Sequence, residues 1–235
     1  MVKPPTFRSL RYAMHRLLGL KTTTVDGIRL VIDPARVDRS TAREIIKGKY
    51  ELPERFLVGK VLRPGDRVLE IGCGVGLVSL LCNRIAGREN VLSYEANPRL
   101  RPLIEANFAL NGVRPNVVFR AITTDGAAVR FFANPNVMSS SLFDRKDGSE
   151  SIAIESDRFA DARSGFGADV LVMDIEGAEV DILGQDDLVG LREMIVELHP
   201  HIVGADQTDG LIAALGQKGF TVRERLHKTV WFSRA

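Results

Sequence analysis

A doubly wound, mostly parallel α/β sheet is the fold class this sequence predicts, and three observations predict it. Short apolar runs alternate with amphipathic helical stretches over most of the chain, a glycine-rich turn follows the first core run, and acids follow the second and fourth runs. At 235 residues the chain supports one sizeable core. With 45% hydrophobic and 26% charged residues it has an ordinary globular composition. A net charge of +2 gives no general case for a basic face, so no nucleic-acid partner is expected. Cys73 and Cys82 make neither a disulfide framework nor a zinc motif, which suits a reducing, cytoplasmic location. No apolar run is long enough to span a bilayer, and Arg8, Arg11, His15 and Arg16 interrupt any signal-peptide core.

The elements follow in order. After Pro4-Pro5, the residues Leu10, Met14, Leu17 and Leu18 share one face of a basic helix. Packing on its own domain is the commoner use of such a face; a lid, or membrane-surface contact through residues 7–21, are the alternatives. Val25-Asp26-Gly27-Ile28 is a turn between short extended pieces. Ser40 or Thr41 can cap a helix through Ile45 and Ile46 to Gly48, and a second helix through Phe56, Leu57 and Val61 stops at Arg63-Pro64-Gly65-Asp66. Residues 1–47 are expected as a helical and β extension, a candidate lid, and 48–235 as the principal domain.

The core runs are Val68–Ile71, Val91–Tyr94, Val117–Phe119, Val170–Met173 and Met194–Leu198. Helices are expected over Leu77–Ile85, Arg99–Leu110 and Leu211–Leu215, with less regular β pieces between Val129 and Ile154. The final runs, Phe220–Leu226 and Thr229–Phe232, form an antiparallel pair at one sheet end, giving a seven-stranded, Rossmann-like sheet with an antiparallel terminal strand.

Such sheets bind ligands beyond the carboxyl ends of their strands. Glu70-Ile71-Gly72-Cys73-Gly74-Val75-Gly76 follows the first core strand, and its alternate glycines allow a tight turn and close ligand approach. A dinucleotide fingerprint would place its third glycine at position 77, where this chain has Leu77, so an NAD-dependent oxidoreductase is the weaker reading. Glu95, ending the second strand, can accept hydrogen bonds from both hydroxyls of a ribose, with Ala96 beside it. Small Ala121 leaves room for an adenine ring, or is a plain core residue.

This loop and the spacing to Glu95 resemble class I S-adenosylmethionine methyltransferases, and Met173-Asp174-Ile175-Glu176-Gly177-Ala178-Glu179 resembles the signature of their FkbM family. Lys60–Asp66, Tyr94–Pro98 and Ile195–His199 also match its pattern, from about Gly48 to the C-terminus. Glu70, Cys73 and Gly74 depart from the aspartate, alanine and asparagine that many members carry. The resemblance implies S-adenosylmethionine as cofactor, held by Glu70, Gly72, Gly74, Gly76, Glu95, Ala96, Ala121 and Asp174. Glu70 would act through water on the methionine amine or anchor the glycine loop. It also implies methylation of a hydroxyl on a small molecule or glycan. A non-catalytic cofactor-binding module is the alternative, and a homo-oligomer stays open.

Asp174, Glu176 and Glu179 cluster past the fourth strand, where acids can orient a hydroxyl or hold a divalent metal; a metal is not favoured, because no His–carboxylate ligand spacing supports it. Glu179 also suits a salt bridge on a first helical turn. His199 is the candidate general base, with Glu197 to orient it and His201 a weaker second; Asp174, Glu176 and His199 are the expected catalytic set. Asn136, Ser139, Ser140 and Ser141 suit an acceptor pocket, and Asp157 suits a structural ion pair.

Overall fold

The computed structural model describes residues 7–133 and 150–234, so Asn136 and Ser139–Ser141 lie outside the described residues. The chain runs α1 (Phe7–Leu17), β1 (Thr22–Val25), β2 (Ile28–Val31), α2 (Arg39–Ile46), α3 (Leu52–Val61), β3 (Val68–Ile71), α4 (Leu77–Ala86), β4 (Val91–Tyr94), α5 (Arg101–Leu110) and β5 (Val117–Val118). It continues through β6 (Ala121–Thr123), β7 (Val129–Ala133), β8 (Glu150–Ile154), β9 (Ser156–Arg158), α6 (Phe159–Phe166), β10 (Val170–Met173), α7 (Glu179–Gln185), β11 (Glu193–Glu197), α8 (Pro200–Val203), α9 (Ala205–Gln217), β12 (Phe220–Leu226) and β13 (Thr229–Arg234).

The central sheet has seven strands in the order β12-β13-β11-β10-β3-β4-β5. β11, β10, β3, β4 and β5 pair in parallel, while β13 is antiparallel to both its neighbours. The expected antiparallel strand is therefore second from the edge, and β12 takes the edge itself. A tight β12–β13 connection forces that reversal, because two strands joined by a short turn can only run antiparallel.

Strand alternation builds two cores. Val170 and Val172 of β10 join Val68 of β3, Ile195 of β11 and the apolar faces of α3 and α4. Leu171 and Met173, with Leu69, Ile71, Met194 and Val196, pack the opposite face against α6, α7 and α9. Helices thus cover both faces, which explains why the central strands read as continuous apolar runs.

The β1–β2 turn has Asp26 at φ 49° and Gly27 at φ 78°, the twist a two-residue hairpin turn favours. Helix α2 starts one turn-cap earlier than the sequence indicated: Asp38 is the cap, accepting from Ser40 and Thr41 backbone N–H groups. Val25, Leu30, Ile45 and Ile46 share a cluster with Leu77, Leu80, Ile104 and Phe108, so the hairpin and α2 are built into the core of the sheet's own helices.

Helix α1 departs from the packing expectation. Leu10, Met14, Leu17 and Leu18 are all exposed, Leu17 at 87%. The helix is held instead by Tyr12, which packs against the core cluster beside α2, and by Arg11, whose guanidinium donates to Thr23 Oγ1 (2.9 Å) and Thr24 O (2.6 Å). No described helix is long and apolar enough to cross a membrane.

Candidate functional site

The strand ends of β3, β4, β10 and β11 converge on one side of the sheet. The glycine loop leaves β3 with Gly72 and Cys73 donating to Tyr94 O of β4 (2.9 and 3.1 Å), while Asp174 N donates to Ile71 O (2.9 Å). Gly72 has φ +94°, and a Cβ there would stand 1.9 Å from Asp174 O, so the loop passes the tip of β10 at a distance only glycine permits. Gly76 begins α4 at φ +82°, with Phe108 packed close beneath it.

Glu95 is buried over this loop. Its Oε2 accepts from Gly74 N (2.8 Å) and its Oε1 from Asn97 N (2.7 Å). Each oxygen keeps a second lone pair, which suits a ribose diol. Burial raises its pKa to about 7, against the opposing pull of the two backbone N–H bonds. Ala96 packs in the same small cluster as Ala121. Ala121 itself lies in β6, outside the central sheet, and is buried with its N–H bonded to Glu155 O (2.9 Å).

Glu70 does not touch the glycine loop backbone through any described bond. It accepts from Ser79 Oγ of α4 and Ser93 of β4, and burial raises its pKa to about 7. Since the fold favours the protonated form, its stabilising contribution is complete below the ordinary value of 4.5 and is lost as pH rises through about 7. Glu70→Gln is therefore expected to stabilise the protein at pH 8 by up to about 3 kcal/mol and to flatten its melting temperature between pH 5 and 8. Parallel wild-type and variant curves would refute this.

The acids and the histidine meet past β10 and β11. His199 is 3% exposed and Glu179 is 1% exposed. His199 Nδ1 lies 3.0 Å from Glu179 Oε1, which also accepts from Ile175 N (3.1 Å). Nε2 stands 3.5 Å from Asp174 Oδ1, 3.6 Å from Glu197 Oε1 and 3.8 Å from Glu176 Oε2. Glu179, rather than Glu197, therefore orients the imidazole: both lie near the ring, but Glu179 reaches Nδ1 within hydrogen-bond distance from the first turn of α7. Burial opposes a charge on His199, but the Glu179 bond and the charges of Glu179, Glu176 and Glu197 outweigh it and raise the pKa above 6.5. Asp174 is raised well above its ordinary range by burial and by Glu197, Glu176 and Glu179; Glu197 is raised to about 7 by burial and Glu54. Glu176 sits at φ 55° and Gly177 at φ 113°, a left-handed turn that swings the chain from β10 into α7. His201 is exposed, its ring 5.6 Å from that of His199. Asp157 accepts from Arg120 (2.6 Å) and Tyr94 Oη (3.1 Å), the expected structural ion pair.

Asp174, Glu197 and His199 each offer one ligand atom within 4.8 Å of the others, a grouping that could hold a divalent ion. Sequence spacing gave no such His–carboxylate set; the strand ends assemble it. A cavity of about 390 Å³ opens beside this group, lined by Tyr50, Glu51, Glu54, Asp174, Glu176, Glu197 and Lys228 among others. Sequence reasoning missed Tyr50, Glu51 and Glu54 because they precede the glycine loop in a helix-start segment with no motif of their own.

A glycine loop on β3, an acid ending β4 and an acid–histidine group past β10 and β11 define the class of S-adenosylmethionine-dependent methyltransferases. The family model described as "Methyltransferase FkbM domain" matches residues 70–222. The chain belongs to this family, and its cofactor is S-adenosylmethionine. The chain is also 41% identical over 54 residues to the ribosomal protein L11 methyltransferase of Thermus thermophilus, a match covering 23% of this chain and 20% of that protein. Among solved structures, M. jannaschii TYW2 in complex with AdoMet aligns over 91% of this chain and 86% of its own, at 12% identity and TM-score 0.48. A candidate RNA methyltransferase from Pyrococcus horikoshii aligns over 80% and 83%, at 13% identity and TM-score 0.46.

The expectation of no nucleic-acid partner does not stand. A methyltransferase named for a ribosomal protein is among the proteins this chain resembles. The physical reason is that a net charge of +2 averages over the whole surface and says nothing about a local patch.

Proposed function

We propose that this protein methylates a hydroxyl oxygen of a small molecule or glycan bound in the cavity beside Asp174 and His199. The observation that carries the reading is the buried Glu179–His199 pair, which fixes Nδ1 and turns Nε2 toward Asp174, Glu176 and Glu197 at the cavity. Bound S-adenosylmethionine supplies an electrophilic methyl group. Glu95 holds the ribose hydroxyls, and Gly72, Gly74 and Gly76 let the loop backbone approach the cofactor. Asp174 and Glu176 accept hydrogen bonds from the acceptor and orient it, and Nε2 takes the hydroxyl proton. The carboxylate-rich lining suits a ligand with several O–H donors.

The test is transfer of a labelled methyl group to a panel of polyols, glycans, hydroxylated metabolites, ribosomal protein and RNA. Labelled ether products on a hydroxyl acceptor support the reading; labelling confined to nitrogen or carbon in protein or RNA would sink it. Turnover is expected to survive chelation of divalent ions. Loss on chelation, restored by Mg²⁺ or Mn²⁺, would reassign Nε2 from proton acceptor to metal ligand.

Cofactor binding carries its own pH signature. Ribose hydroxyls donate best to an ionised carboxylate, and Glu95 ionises only near pH 7. Affinity for S-adenosylmethionine is therefore expected to rise between pH 6 and 8, and Glu95→Ala to remove about 1.5–3 kcal/mol of binding together with that slope. Calorimetric titration across this range checks it; unchanged affinity in the variant would remove Glu95 from the site.

A further inference from the structure

Glu51 occupies a place that the reaction as described leaves unused. It precedes helix α3 at φ 48° and ψ 35°, a left-handed conformation that costs a residue with a side chain and is retained only when its surroundings impose it. Arg55, buried at 3% exposure, imposes it here: its Nε donates to Tyr50 O (2.9 Å), one terminal nitrogen donates to Gly48 O (2.9 Å) and the other pairs with Asp26. The clamp leaves that guanidinium engaged with the turn backbone and Asp26, and it aims the Glu51 side chain at the glycine loop. A Cβ on Gly74 would lie 3.0 Å from Glu51 Oε1 and 2.9 Å from Tyr50 Oη. Tyr50 and Glu51 are hydrogen-bonded to each other, yet Glu51 Oε2 is buried and has no hydrogen-bond partner. A buried carboxylate oxygen without a donor is costly, and a strained backbone that holds it there raises that cost. The surroundings are acidic too: Glu54, Glu70, Glu95 and Asp174 all act on this pair, opposed at Glu51 by the charge of Arg55.

We propose that Glu51, steadied by Tyr50 and the Arg55 clamp, receives the α-ammonium of the methionyl end of S-adenosylmethionine. The inference rests on the cofactor reading above and adds a residue to it. An ammonium brings three N–H donors and a positive charge to an orphaned acceptor in a negative chamber. Both acids meet the glycine loop at Gly74, Glu95 accepting from its N–H and Glu51 lying where a Cβ would point, and they divide the cofactor between them: ribose at Glu95, amino-acid end at Glu51.

The experiment is calorimetric titration of the full chain with S-adenosylmethionine, S-adenosylhomocysteine and 5′-methylthioadenosine. The last keeps the adenosine and sulfur but lacks the ammonium and carboxylate. Glu51→Gln is expected to weaken the first two by about tenfold or more and to leave the third unchanged. Glu51→Gly removes the carboxylate while relieving the left-handed backbone. It is expected to fold with an equal or higher melting temperature and to show the same selective loss, which keeps the test valid if the glutamine variant folds poorly. Equal weakening of all three ligands, or unchanged affinity for S-adenosylmethionine, would overturn the assignment. A folded wild type that binds none of them would overturn the cofactor reading itself, and this inference with it.

Discussion

His199→Ala is expected to lower turnover by about 10²–10⁴-fold, the range a positioned proton acceptor contributes, while S-adenosylmethionine affinity stays nearly unchanged. Nε2 faces the acid-lined cavity, whereas Glu95, the acid proposed to hold the ribose, lies at the end of β4 against the glycine loop. The pH profile separates catalysis from packing. His199 must be neutral to accept a proton, and its pKa is raised above 6.5 by Glu179, Glu176 and Glu197 against the effect of burial. The wild-type rate should therefore climb with pH along a limb displaced above 6.5, and the residual rate of the variant should lack that limb. Glu179→Gln should move the limb down, since it removes the largest of the charges that raise the imidazole. Truncating His199 also leaves Glu179 buried without its partner, so a fall in melting temperature is expected alongside. Wild-type turnover in the alanine variant would remove His199 from the mechanism. A limb that stays put in Glu179→Gln would remove Glu179 as its orienter.

The second large effect concerns Gly72→Ala. Two costs add at this position: a positive φ of 94° that alanine adopts poorly, and a Cβ that would stand 1.9 Å from the Asp174 carbonyl oxygen. The obstructing atom is backbone in the adjoining parallel strand end, so a rotamer change cannot relieve it. The tips of β3 and β10 must separate, at a cost of about 3 kcal/mol or more, which in a chain of this size is a fall in melting temperature of roughly 6–12 °C. Because the displaced carbonyl belongs to Asp174, the same substitution should weaken cofactor binding and turnover together. Gly59→Ala is the matched control: it lies in helix α3 with nothing within 4 Å of the added atom, and helix propensity predicts a neutral or slightly stabilising change. A Gly72→Ala protein as stable and active as wild type would show that the close approach of the two strand tips is dispensable.

Much of the scaffold was legible in the residues. Val68–Ile71, Val91–Tyr94 and Val170–Met173 read as strands because a sheet covered on both faces needs side chains that are apolar on both. The β1–β2 turn was legible from Asp26-Gly27, and the final hairpin from its two apolar runs. Helix α6 was not: Phe159 to Phe166 is short and interrupts its apolar residues with Asp161, Arg163 and Gly165, so its periodicity is weak, and it is fixed by Phe159 entering the core and Arg163 reaching Asp186 and Asp187. The cap of α2 was misplaced for a similar reason, since Asp38, Ser40 and Thr41 are all competent caps and backbone geometry chose between them. The apolar stripe of α1 predicted burial but stayed exposed, because Tyr12 and Arg11 rather than that stripe anchor the helix.

The sequence by itself determined the order of the core strands and the helices that directly follow β3 and β4, the glycine loop, and the acids that end β4 and β10, because periodicity and turn chemistry are local and leave a trace in neighbouring residues. Only the tertiary structure decided which groups meet. It paired His199 with Glu179 instead of Glu197, tied Glu70 to two serines instead of the loop, put Ala121 in a sheet of its own, and brought Glu51 over Gly74 from before the first core strand. Each of these depends on how side chains from separate elements point once parallel strands lie side by side. Spacing along the chain does not encode those directions.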